Sequence, residues 1–96
     1  MKESKFQSDL IKDLKVLLPG CIVLKNDSSY IQGIPDLLVL YSNTWAALEV
    51  KADSSSSLRP NQLHYIRLMS DMSYAAIIYP ANREEILSEL QQAFGT

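Results

Sequence analysis

The stretch between residues 33 and 51 restricts the possible folds of this 96-residue chain more than any other part. Two short apolar runs, residues 37–41 and 45–50, flank the polar triplet 42–44, which reads Ser-Asn-Thr. Apolar runs of this length on either side of turn-forming residues are typical of two strands joined by a tight turn. The sequence therefore predicts an antiparallel hairpin, around which the rest of the chain must pack.

Charged residues stand at the open end of this predicted hairpin. If Tyr41 pairs with Thr44, Asp36 falls opposite Glu49, whereas a shift of one residue would turn Asp36 to the other face. The apolar runs do not choose between these registers. Glu49 and Lys51 lie two positions apart, so both side chains leave the strand on one face. The favoured register gathers two carboxylates and an ammonium group, whose burial without partners would be unfavourable.

Length and composition indicate a single domain spanning residues 1–96. No apolar run approaches the 18 residues of a membrane span, and the first residues lack the apolar stretch of a secretory signal. Cys21 is the single cysteine and is expected to be reduced. We therefore expect a cytoplasmic protein with no membrane partner. The net charge of −2 gives no general support for nucleic-acid binding.

The periodicity of apolar residues predicts an α/β fold in the order α-β-β-β-α-β-α, with one mixed four-stranded sheet flanked by helices. The predicted elements are a helix over 3–18, strands over 21–25, 37–41 and 45–50, a helix over 60–72, a strand over 74–79 and a final helix. Pro60 suits the first position of the second helix. The nearly unbroken apolar run 74–79 predicts a buried central strand.

The spacing of Asp36, Glu49 and Lys51 suits phosphodiester hydrolysis. Two carboxylates can hold Mg²⁺ or Mn²⁺, and a neighbouring lysine can stabilise the charge that develops on a phosphate. The chain offers no cysteine cluster or histidine pair for a zinc site. A plain cross-strand ion cluster is the other interpretation of the same three residues.

Four sequence elements in order resemble the VRR-NUC branch, the virus-type replication-repair nucleases, of the PD-(D/E)XK nuclease superfamily. They are Glu3 and Gln7 on the first helix, Gly33 to Asp36 as Gly-x-Pro-Asp, Glu49-Val50-Lys51, and Pro60 with Gln62. The resemblance covers residues 3 to about 79. One departure is Arg59, which stands where that branch often has Ser or Thr before the proline.

The resemblance implies a restriction-endonuclease-like core and metal-dependent DNA cleavage with Mg²⁺ or Mn²⁺. It implies that Asp36, Glu49 and the Val50 carbonyl are metal ligands, with Glu3 as an outer ligand. Lys51 would be catalytic, with Gln62 supporting the catalytic group of Asp36, Glu49 and Lys51. The residues expected to contact DNA are Lys5, Gln7, Lys25 and Arg59.

These features together predict a structure-selective DNA endonuclease of phage or prophage origin, with a role such as DNA repair. Compact members of the branch are similar to Holliday-junction resolvases, which implies a four-way junction as substrate. The two strands to be cut in a four-way junction are related by a twofold axis, which favours a homodimer with the same symmetry. Strand 74–79 and the last helix are candidates for the apolar contact surface. The rival interpretations are a catalytically idle nuclease fold that binds DNA or a partner, and a nuclease acting on flap DNA or RNA.

Overall fold

One mixed sheet with helices packed on both faces forms the framework of the chain. The computed structural model describes residues 2–96, and the predicted order of elements is confirmed in it. The elements are α1 (Glu3–Leu17), β1 (Ile22–Lys25), β2 (Leu37–Tyr41), β3 (Thr44–Val50), α2 (Gln62–Met72), β4 (Tyr74–Ile78) and α3 (Arg83–Phe94). A short 3₁₀ turn, Pro80–Asn82, precedes α3. The strand order in the sheet is β1-β2-β3-β4, with β3 and β4 parallel and the other neighbours antiparallel.

The hairpin of β2 and β3 forms in the favoured register. Tyr41 pairs with Thr44, and the pairing continues to Leu37 opposite Leu48. Ser42, the first turn residue, has a φ of 56°, so the two-residue turn depends on a left-handed conformation there. Asp36 directly precedes β2 and therefore lies beside Glu49 near the end of β3, as the register requires.

The main hydrophobic core lies between one sheet face and the helices α1 and α3. Alternate strand residues point to this face, and α1 and α3 contribute apolar residues at helical spacing. The buried members of the core include Leu10 and Leu14 of α1, Val39, Leu48 and Val50 of the hairpin, Ile78 of β4, and Leu87 and Leu90 of α3. Because Val50 and Leu48 face this core, Glu49 must face the opposite side of the sheet.

Helix α2 covers that opposite face, over β3 and β4. It contacts β4 more extensively than β3. Ala47 of β3 and Ala75 of β4 are paired on this face, and their small side chains allow the helix to approach closely. The prediction of a central strand over 74–79 is wrong, because β4 is an edge strand of the sheet. Its apolar sequence has a different cause: α2 covers one of its faces and α3 the other, so both faces are shielded from water.

The second helix begins later than predicted. Pro60 does not occupy its first position, since α2 starts at Gln62 and Asn61 precedes it with a φ of 70°. A left-handed residue cannot continue a right-handed helix, so Asn61 separates Pro60 from the helical turns. This conformation sets the direction in which the first residue of α2, Gln62, enters the protein.

The β1 side of the sheet remains uncovered on the α2 face. Ile22 and Leu24 of β1 are 56% and 44% exposed, and they pair with Leu40 and Leu38 of β2. Residues paired in this way share a face, so these side chains form an apolar strip on the face that α2 covers elsewhere.

Within residues 2–96, no helix has the length and apolar character needed to span a membrane.

Candidate active site

Each of the Asp36 and Glu49 carboxylates accepts a hydrogen bond from the backbone of the opposite strand end. The Glu49 Oε1 atom accepts a hydrogen bond of 3.2 Å from the Asp36 N–H, and Asp36 Oδ2 accepts one of 2.9 Å from the Val50 N–H. These bonds replace regular strand pairing beyond Leu37 and Leu48. The hairpin register therefore brings the two carboxylates together at the end of the sheet, as predicted.

Gln62 connects Glu49 to Lys51 through a single side-chain amide. Its Nε2 donates to Glu49 Oε2 at 2.8 Å, while its Oε1 accepts a 2.9 Å bond from Lys51 Nζ. The same Oε1 accepts the Arg59 N–H at 2.7 Å. With two donors directed at the oxygen, the amide has one favourable orientation, in which its NH₂ group must face Glu49. Gln62 is buried and has hydrogen-bond partners at both ends of its amide, which distinguishes it from an ordinary polar residue in a first helical turn.

The Lys51 ammonium group is buried among three acceptors. Besides Gln62, it donates to the Ser57 carbonyl at 3.1 Å, and it lies 3.4 Å from Glu49 Oε2. Two of its three hydrogens are used in the bonds to Gln62 and Ser57, and the contact with Glu49 is an ion pair. The contact with Glu49 is the longest of the three and is the one most readily exchanged for another negative oxygen.

Burial raises the pKa of Glu49 from an ordinary 4.5 to about 7, because the buried carboxylate loses its hydration. The nearby negative charge of Asp36 acts in the same direction, whereas the Lys51 ammonium and the hydrogen bonds from Lys51 and the Asp36 N–H oppose it. Desolvation and carboxylate repulsion together therefore outweigh the compensation from Lys51. An additional cation at this position would favour the ionised form of Glu49.

Gly33 allows the Asp36 loop to touch the start of α2. Its φ is +90°, and a Cβ atom placed on it would lie 2.6 Å from Asn61 Cβ, 2.7 Å from the Asn61 carbonyl carbon and 2.8 Å from the Pro60 carbonyl oxygen. Two of these neighbours are backbone atoms, which cannot move aside without moving α2. The glycine thus links the loop that carries Asp36 to the helix that carries Gln62.

A groove of about 270 Å³ opens beside Asp36 and Gln62. Arg59 and Gln32 lie on its walls, and the Arg59 side chain is exposed. The groove places the positive charge of Arg59 beside the Asp36 carboxylate. Among the residues predicted to contact DNA, Arg59 is the one that this groove brings next to Asp36.

The other predicted residues lie outside the hydrogen-bonded cluster. Lys5 is exposed and forms an ion pair with Asp9 at 3.0 Å, Gln7 is partly buried in α1, and Lys25 is exposed at the end of β1. Glu3 is exposed in the first turn of α1. No group of three or more Asp, Glu, His or Cys side chains able to hold a metal occurs within residues 2–96. The roles of these four residues stay predictions.

The sequence interpretation missed two contributors to this site. Ser57 supplies a backbone carbonyl to Lys51, and no side-chain pattern marks a carbonyl acceptor in advance. Asn26 donates from Nδ2 to the Pro35 carbonyl at 2.9 Å and from its backbone N–H to the Asp36 carbonyl at 2.8 Å. Its position directly after β1 was the available signal, but that position alone suggests only a loop residue.

The donor set suits Mg²⁺ or Mn²⁺. Asp36 and Glu49 offer hard carboxylate oxygens that retain further lone pairs beyond their hydrogen bonds. Burial, and after it the Asp36 charge, raises the pKa of Glu49, and a bound cation would oppose both effects. Mg²⁺ is usually held by one or two carboxylates and keeps several waters. Asp36, Glu49 and the Val50 carbonyl would therefore provide enough protein ligands, with waters at the remaining positions.

No protein-family model matches this sequence, and no curated protein sequence matches it either. Among solved structures, the chain is similar to Archaeoglobus fulgidus Hjc, a Holliday junction resolvase from an archaeal hyperthermophile. The TM-score is 0.55 at 19% sequence identity, and the match covers 79% of this chain and 67% of Hjc. This likeness agrees with the predicted restriction-endonuclease-like architecture.

The Glu49 environment predicts an unusual pH dependence of stability. Because the pKa is about 7 in the folded protein and near 4.5 in the unfolded chain, the folded state binds more protons between these values. Stability should therefore fall as the pH rises through this window. We expect the melting temperature of the protein in EDTA to decrease from about pH 5.5 to about pH 8, and Glu49→Gln to flatten this slope. The exposed Glu85→Gln variant should keep the wild-type slope, and an unchanged slope in Glu49→Gln would contradict the assignment.

The Gly33 contact predicts a displacement of Gln62 in a Gly33→Ala variant. Gly20 provides a matched control, since its φ is +88° but a Cβ there would meet nothing within 4 Å. Both alanine variants should lose about 1–2 kcal/mol of stability from the left-handed conformation. Gly33→Ala should lose more, and it alone should shift the NMR signals of the Gln62 side-chain amide. Equal losses with no change at Gln62 would show that Gly33 is needed only for its backbone conformation.

Proposed function

We propose that this protein is a metal-dependent, structure-selective DNA endonuclease of the VRR-NUC type, acting on four-way junctions. The observation that carries the proposal is the cluster of Asp36, Glu49, Lys51 and Gln62, in which one glutamine amide bridges a buried carboxylate and a buried lysine. A plain ion cluster would be more stable with its charges balanced. Here two carboxylates face one ammonium group, and burial together with the Asp36 charge raises the pKa of Glu49.

In this proposal Asp36, Glu49 and the Val50 carbonyl hold Mg²⁺ or Mn²⁺, with Glu3 as an outer contact. The bound metal would polarise the scissile phosphate and lower the pKa of a water ligand. Glu49 is held in place by Gln62 and by the Asp36 N–H, so its carboxylate needs little rearrangement to bind a cation. Such preorganisation is the main contribution that a protein makes to phosphodiester hydrolysis.

Lys51 would stabilise the negative charge that develops on the phosphate. Its two shorter bonds, to Gln62 and Ser57, fix the ammonium group, while the 3.4 Å contact with Glu49 is the one to be exchanged. A phosphate oxygen can take the place of Glu49 once that carboxylate is engaged elsewhere. Gln62 therefore acts as a positioning residue for both Glu49 and Lys51.

Shape recognition of branched DNA is supported by the surroundings of the cluster. The groove beside Asp36 carries the exposed Arg59, and Lys25 is exposed at the end of β1. We assign Lys5, Gln7, Lys25 and Arg59 to phosphate contacts. The loop after Lys51 is rich in serine, and Asp53 is engaged with Ser55 of the same loop, so this loop offers few side chains for reading base edges.

A homodimer would let two such sites cut the two related strands of a junction. The uncovered apolar strip containing Ile22 and Leu24 supports this arrangement. The surfaces predicted from sequence are less suitable, because Ile78 of β4 and Leu90 of α3 are buried in the monomer core. The strip of β1 and β2 is therefore the preferred contact surface for the second copy.

A cleavage panel with two variants tests the activity. We expect the wild type to cut a four-way junction with Mg²⁺ or Mn²⁺, to spare linear duplex, and to be inactive in EDTA. Asp36→Ala should lose both Mn²⁺ binding in calorimetry and cleavage. Lys51→Met should keep Mn²⁺ binding and lose cleavage by a factor on the order of 10²–10³. Preferred cutting of flaps or RNA would show that the substrate is not the four-way junction. Junction binding without cutting in either metal would show that the protein is a nuclease-fold binding module.

Light scattering tests the assembly. At micromolar concentration the wild type should have twice the monomer mass, and Ile22→Lys should yield the monomer because it places a charge in the apolar strip. Val16→Lys is the control, since Val16 is 81% exposed on α1 and outside the strip. A wild-type protein that is strictly monomeric would exclude the dimeric resolvase and leave a nuclease that cuts one strand at a time.

A further inference from the structure

The pairing of β2 with β3 stops just before it would cover the Val50 carbonyl. Continued two residues beyond Leu37 and Leu48, the observed register would set Pro35 opposite Val50. Lys51 donates its N–H to Ile78 in β4, so the preceding residue, Val50, directs its N–H and C=O toward β2. In a regular antiparallel ladder, residues 35 and 50 would therefore exchange two hydrogen bonds.

Both of these ladder bonds are missing. The Val50 N–H donates instead to Asp36 Oδ2 at 2.9 Å. The Pro35 carbonyl, which would have accepted that N–H, accepts the Asn26 side-chain amide at 2.9 Å. In the other direction, the prolyl nitrogen carries no hydrogen, so residue 35 cannot donate to the Val50 carbonyl. Proline removes the donor, and Asn26 engages the acceptor from the β1 side.

Asn26 secures the segment on the β1 side of the sheet. Its backbone N–H donates to the Asp36 carbonyl at 2.8 Å, next to the side-chain bond to Pro35. Two hydrogen bonds thus hold the Pro35-Asp36 segment toward β1 and away from β3. Pro35 and Val50 are both fully buried, so a carbonyl without a strand partner here is unfavourable unless another group takes its place.

We propose that Pro35 and Asn26 are positioning residues that end the ladder early and keep the Val50 carbonyl available to a divalent cation held by Asp36 and Glu49. This inference rests on the proposed metal dependence. The carbonyl leaves β3 on the same side as the Val50 N–H, which contacts the Asp36 carboxylate. A regular ladder would satisfy that carbonyl with a backbone donor and so compete with the metal.

The test restores the ladder and measures metal binding in the absence of DNA. The double variant Pro35→Ala/Asn26→Ala supplies an N–H at position 35 and frees the carbonyl at that position. We expect the new backbone amide at position 35 to be protected from hydrogen exchange in EDTA, as a new strand bond requires. Calorimetry should show Mn²⁺ binding weakened about fivefold or more, the equivalent of one intramolecular hydrogen bond. Pro19→Ala, at an exposed proline outside the sheet, is the control and should bind Mn²⁺ as the wild type does.

The outcomes separate this inference from the proposed function. Wild-type Mn²⁺ binding together with equal binding by the double variant would overturn the role of Pro35 and Asn26 and leave the metal site intact. A weakened affinity with an unprotected amide at position 35 would also overturn it, since the ladder would not have formed. A wild type that binds no Mn²⁺ would overturn the metal proposal itself. If the double variant does not fold, the hydrogen-exchange and Mn²⁺-binding measurements are made on Pro35→Ala alone.

Discussion

The bridge from Glu49 through the Gln62 amide to Lys51 is the interaction on which the rest of the site depends. Glu49 and Lys51 are almost fully buried, and neither charge would be acceptable there without hydrogen-bonding partners. One glutamine partners both, because its amide has a donor end and an acceptor end. The site therefore exists only while the first turn of α2 stays at the end of β3.

Two backbone features hold α2 in that place. Asn61 adopts a left-handed conformation that separates the helix from Pro60, and Gly33 permits the Asp36 loop to lie against this junction. The Arg59 N–H then donates to the Gln62 oxygen and fixes the orientation of the amide. Together with the bond from Gln62 to Glu49, these contacts connect the loop before β2, the end of β3 and the start of α2.

The arrangement of charges around Glu49 is unfavourable for stability alone. The raised pKa of Glu49 shows that burial and the Asp36 charge outweigh the help from Lys51. Like-charged groups held close together are typical of sites that bind a metal or perform acid–base chemistry. The same end of the hairpin also has its strand pairing interrupted at Pro35, so both charge and backbone geometry depart from a plain structural hairpin.

The sequence by itself determined the order of elements, the hairpin and the shared face of Glu49 and Lys51, whereas the register that brings Asp36 beside them was one of several that the apolar runs allowed. These are consequences of strand alternation and turn chemistry over short distances. Tertiary structure decided the rest: β4 lies at an edge although its sequence reads as central, because α2 and α3 cover its two faces. It also decided the partners of Lys51 and the part played by Asn26, since backbone carbonyls and contacts between distant segments leave no periodic pattern in the sequence.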